Sequence, residues 1–215
     1  MLLSRNKIKA IITETYQKIA WFKQSDGIIV YGSILPFASK LRFLRVTIDS
    51  LLSFIDHITG AIPASNYHIR ALCHIRSLID RDTANTIACL VIFLRLSYFN
   101  AILYRVTDHN LNWLQCTCAE LPGPFYLPYR SVATRLRRSL HWLPIRQRIE
   151  CKVVLLTFKV RLHQPTYLSK LVANQVPTRL LRSAYKARLV LPCTKMLTAS
   201  RAFSVAASRT WKSAT

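Results

Sequence analysis

The side chains of this 215-residue chain that could do chemistry are few enough to take one group at a time. Cys116-x-Cys118 with His109 offers half of a zinc site, because thiolate and imidazole are ligands that zinc favours. Two thiolates one residue apart still need a second pair to close a tetrahedron. No CxxC spacing supplies it, so ordinary thiols are the expectation. Asp80-x-Asp82 offers two carboxylates to a cation. An aspartate directly ahead of an apolar run is also what a helix N-cap looks like, and the sequence puts Asp82 there. Cys73 beside His74, or His109 with Cys116, can be drawn as nucleophile and base, but neither has the spacing of a hydrolase motif. Six Asp and three Glu leave little for a calcium cage or a paired-carboxylate centre. The four glycines form neither a GxGxxG turn nor a P-loop. The sequence therefore assigns no catalytic residue, no metal ligand and no cofactor.

What remains is charge. Lysine and arginine number 31 against 9 acids, a formal net charge of +22, and such a chain should adhere to polyanions. Residues 126–215 hold eighteen of the bases and a single acid, Glu150, whereas residues 51–125 carry five of each sign. In the basic part Arg148, Lys152 and Lys159 fall in one narrow arc at helical periodicity, with Arg135, Arg137, Arg138 and Arg146 close by in sequence. Two readings stay open for this stripe: a solvated helix face, or contact with nucleic-acid phosphates. His141 and Trp142 could stack on a base, or Trp142 could staple the start of the following helix.

The elements that must position these residues are mostly helical. Gly27 to Val30, then Tyr31-Gly32-Ser33, then Ile34 to Pro36, reads as strand, tight turn and strand; Lys40 to Asp49 reads as a third strand. Leu51 to Ile79 reads as a helix interrupted at Gly60 or Pro63. The apolar run from Thr86 to Tyr104 is broken by Arg95 near its middle; a buried helix of a helical domain is favoured over a membrane span. Leu121-Pro-Gly-Pro124 and Pro128 mark a boundary, and a basic helix begins between Arg130 and Leu140. Pro144 suits the first position of a helix reaching about Leu162, its core stripe being Ile145, Ile149, Val153, Leu156 and Val160. A last short helix is expected over Ala199–Lys212.

Two segments carry a family likeness. Ser139 to Ile149 (SLHWLPIRQRI) and Arg201 to Trp211 (RAFSVAASRTW) closely resemble the C-terminal part of reverse transcriptases of non-LTR, LINE-type retrotransposons, the jockey and chicken-repeat group. Phe43-Leu-Arg-Val-Thr-Ile-Asp49, Leu52-Ser-Phe54 with His57-Ile58, Ile69 to Ile75, and Arg95-Leu96 with Tyr98 and Asn100 are similar to segments of the same enzymes. So is Lys152 to Lys159 followed by Pro165-Thr-Tyr167-Leu168. The similarity covers roughly residues 40–212.

The resemblance implies a mainly α fold: a helical thumb-like bundle with a small N-terminal antiparallel β remnant and a basic helical C-terminal extension. Its implied parts are palm-end, primer-grip strands over 1–50, thumb-like helices over 51–121 and the basic extension over 122–215. The family polymerase holds Mg²⁺ on carboxylates that include an adjacent Asp pair. This sequence has no such pair, so the matching residues are those downstream of the catalytic palm, and no polymerase activity is expected of them. The implied partner is RNA or an RNA–DNA hybrid, held nonspecifically and in a salt-sensitive way, together with the palm itself. A location inside the cell, cytoplasm or nucleus, is expected, because MLLSRNKIKA meets charge too early for a secretion signal. The alternatives are a decayed relic, a host-retained nucleic-acid-binding protein and, last, a small membrane protein. Departures favour decay: the family glycine of the Phe43–Asp49 segment is Arg45, and Leu121-Pro-Gly-Pro124 stands where the family continues a helix.

Overall fold

The computed structural model describes residues 8–13, 17, 19, 27–30, 32–98, 100–120, 142–162, 165–175, 188–196 and 198–214. The expected basic helix from Arg130 and the boundary at Leu121–Pro128 lie outside these residues. The fold is mainly helical with a small amount of antiparallel β structure near its start, as expected; that structure is two hairpins. The chain divides into two compact units, 1–64 and 65–215.

In the first unit β1 (Ile28–Val30) pairs antiparallel with β2 (Ser33–Leu35), with Val30 opposite Ser33. Gly32 is left-handed at φ 72°, as a two-residue hairpin turn demands. At Gly27 a side chain would collide with the Leu35 carbonyl oxygen, so that position has room only for hydrogen. The expected third strand is instead a second hairpin, β3 (Lys40–Phe43) and β4 (Val46–Asp49), joined through Leu44-Arg45. Neither turn residue is Gly, Asn or Asp, so the sequence carries no signal for this turn.

Helix α1 (Ile55–Ile75) begins in the first unit and ends in the second. It passes Gly60 and Pro63 without interruption, contrary to expectation. Its buried positions Ile58, Ile62, Ser65, Ile69 and Leu72 follow a 4-3-4-3 spacing, one continuous stripe. Pro63 is exposed and off that stripe, so it occupies no core position.

The second unit continues with α2 (Arg81–Ile87), a π-helical stretch at Ala88–Phe93 and α3 (Leu94–Leu96). The wide turn is registered by Leu94 N–H, which donates to the Cys89 carbonyl five residues back. Ala84, Ala88, Ile92 and Leu96 are all buried. In a regular α-helix a strict four-residue repeat would drift about 40° per step; the wide turn takes up that drift. The cap of α2 is Asp80, not Asp82: its carboxylate accepts from Asp82 N and Thr83 N at 3.1 Å. No helix among the described residues is long and apolar enough to cross a membrane.

Helix α4 (Asp108–Glu120) and helix α5 (Ile145–Arg161) pack on each other, and α5 also packs on α6 (Thr166–Ser169), α7 (Phe203–Ala214) and the 3₁₀ turn Asn100–Leu103. Helix α5 is thus the hub of the unit. Its buried stripe is Ile145, Ile149, Val153, Thr157 and Val160; Leu156 is only half-buried, and Thr157 takes its expected place by folding its hydroxyl back onto Val153 O at 2.8 Å. Helix α7 presents Val205, Ala206, Ala207, Ser208 and Thr210, small enough for close approach of the backbones. At the far end the Arg161 guanidinium lies over the Trp211 ring, 4.7 Å from its centroid.

Candidate nucleic-acid interface

The start of α5 decides where its basic residues point. Pro144 sits at the N-cap rather than inside the first turn, and it has no side-chain group with which to cap. The cap comes from elsewhere: Gln115 on α4 accepts from Ile145 N–H through Oε1 at 2.9 Å. Trp142 is buried at 6% exposure beside this junction. It is therefore core and not a surface on which a base could stack, which corrects the stacking reading.

Arg148 also turns inward. It is half-buried, its Nε donates to Leu143 O at 2.8 Å and its Nη1 to Ser97 Oγ at 3.1 Å. Burial pulls its pKa down, with the Cys118 and Cys89 thiols nearby acting in the opposite direction. Arg148 thus ties α5 to the end of the preceding helical segment. Arg146 remains on the surface, but its guanidinium is paired with the exposed Asp108 carboxylate. This pair stands at one wall of a cleft of about 430 Å³ lined also by Tyr104, Arg105, Ile149 and Glu150. Both signs of charge line the cleft. Burial raises the Tyr104 pKa; among nearby charges Arg209 acts to lower it and Glu150 to raise it.

Lys152 and Lys159 are the predicted contacts that the structure places together on an open face. Both are exposed, seven residues apart on α5. Two helical turns put them about 10 Å from each other along the axis. After Glu150 the chain contains no acid at all, so its own sequence supplies no carboxylate to compete for these ammonium groups beyond that point. Arg135, Arg137, Arg138 and His141 lie outside the described residues. The sequence reading missed Phe158, half-exposed and about 100° round α5 from Lys159; its signal is an aromatic off the core arc of α5.

The other chemistry considered above does not assemble. Cys116 and Cys118 lie two residues apart on α4, one exposed and one buried, so they point to different sides of the helix. None of the six cysteines is in a disulfide, and among the described residues no group of three or more His, Cys, Asp or Glu could hold a metal. In the first unit the working carboxylate is Asp49. It accepts from Ser53 N and Phe54 N at 2.9 Å each and fixes the corner between β4 and α1. Leu52 and Phe54 pass through that corner with φ of 53° and 57°.

No family model, no curated protein and no solved structure matches the chain.

Proposed function

We propose that this chain is the post-palm part of a non-LTR retrotransposon reverse transcriptase lineage, and that it holds RNA or an RNA–DNA hybrid by its backbone, without polymerase activity of its own. The observation that carries the binding role is the exposed Lys152/Lys159 pair on α5, in a stretch of sequence that has no acid after Glu150. Two features support the lineage. The position where the family has glycine, Arg45, is left-handed at φ 66°, which is the conformation that glycine serves. The two segments most like the family also meet: α5 starts in the first, α7 is built from the second, and these helices pack on each other. A setting inside the cell, with reduced thiols, goes with this role.

Fluorescence anisotropy of the full chain with a labelled RNA–DNA hybrid tests it across a salt series. Binding should weaken steeply with salt, and Lys152→Ala with Lys159→Ala should together reduce the log–log slope by about 1.5. A slope untouched by the double substitution would sink the assignment of this face.

A second reading, a decayed relic, is favoured by the non-glycine residues at positive φ among the described residues: Leu44, Arg45, Leu52, Phe54 and Arg105. Calorimetry separates the two. A cooperative melting transition supports a maintained domain, and its absence supports decay.

A further inference from the structure

The surface of α5 that runs from the edge of its core stripe round to the opposite side is not a purely basic one. Lys152, Leu155, Lys159 and Leu162 follow at 3-4-3 spacing along one stripe, and Phe158 stands alongside Leu155 and Leu162. Leu155 is 47% exposed, Phe158 50% and Leu162 61%. Each of these side chains keeps about half or more of its surface open, and the cations along the edge of the stripe make the face suited to an anion with an apolar side.

Nucleic acids differ in whether they offer such a side. A duplex keeps its bases stacked inside and turns phosphates outward, so lysines gain from it while phenylalanine and leucine gain nothing. A single strand presents base faces as well as phosphates, and base–aromatic stacking is tolerant of sequence. Charge therefore draws both forms to α5, but the apolar half of the face rewards only one of them. On that ground, and resting on the binding role proposed above, we infer that this face is a single-strand platform. Lys152 and Lys159 hold phosphates along one edge of the face, and Phe158, about 100° further round the helix, stacks on an unpaired base of the same strand. The stacking role passes from the buried Trp142 to Phe158.

The test compares a labelled oligouridine, a blunt RNA duplex and an RNA–DNA hybrid of equal length, each titrated with the full chain at one salt concentration. The expected result is roughly tenfold tighter binding of the single strand than of either duplex. Phe158→Ala and Phe158→Leu should both remove that preference and leave affinity for the hybrid unchanged. The leucine variant keeps apolar bulk and so guards against a folding artefact, which circular dichroism also monitors. Equal affinity for all three probes overturns the single-strand platform alone and leaves backbone binding standing. A preference that survives both substitutions does the same. No binding to any probe removes the nucleic-acid role and this inference with it. If Phe158→Ala instead abolishes binding to phosphatidylserine vesicles while the oligonucleotides are not discriminated, the face belongs to a membrane surface and the inference is wrong.

Discussion

Arg45 is in a conformation that suits a residue without a Cβ. With Leu44 at φ 47° and Arg45 at φ 66°, the β3–β4 turn has both central residues left-handed, which matches the twist of the strands but strains their side chains. Arg45→Gly should stabilise the first unit by about 1 kcal/mol, read as a rise in the denaturant midpoint without a change in slope. Asp49, at the far end of β4, is the opposite case of a residue well matched to its place. Burial pushes its pKa up, yet the N–H groups of Ser53 and Phe54 and the Ser53 hydroxyl together outweigh that and hold it below the ordinary 3.8. Its folded pKa is depressed, so its contribution is present above the unfolded value and is lost as pH falls through the folded one. Half-buried His57 is pulled down by burial, so the stability it reports is present above about pH 6.5 and declines below it. The stability–pH profile should therefore fall in two separate stages on acidification. His57→Gln should shrink the upper stage and Asp49→Asn the lower, which Asp80, held below the ordinary carboxylate range by its hydrogen bonds from Thr83, shares; stages unmoved by these changes would contradict the assignments.

At the level of the elements, α5 shows what could be read in advance and what could not. Its limits and four of five core positions follow from periodicity alone, because Ile145, Ile149, Val153 and Val160 recur on one arc. Thr157 escaped because a threonine reads as polar until its hydroxyl bonds its own helix. The Gln115 cap was illegible for a different reason: it reaches Ile145 across 30 residues of sequence, and only packing brings the two together. Gln115→Ala should cost about 1 kcal/mol of stability, measured by chemical denaturation. Arg148 lies on the basic arc by periodicity, but at the N-terminal end of α5 where Ser97 and the Leu143 carbonyl capture it. Arg148→Met should therefore lower stability while leaving nucleic-acid affinity near that of the parent, the reverse of Lys159→Ala. Equal losses of affinity in the two variants would return Arg148 to the contact set.

For the molecule as a whole, the π-helical stretch at Ala88–Phe93 says which change in chain length it can absorb. Ala84, Ala88, Ile92 and Leu96 face the core at intervals of four, four and four. Remove one residue between Ala88 and Ile92, such as the exposed Leu90, and the intervals become four, three and four. That is the cadence of an ordinary α-helix, with the same four side chains still facing inward. Elsewhere the same loss is not absorbed: deleting Leu155 from α5 would turn everything after it by about 100° and carry Val160 out of the core. A gene carrying the first deletion should still yield a cooperatively melting protein, and one carrying the second should not. The wide turn is, in effect, a spare residue held in store, a place where the loss of one codon leaves the domain intact.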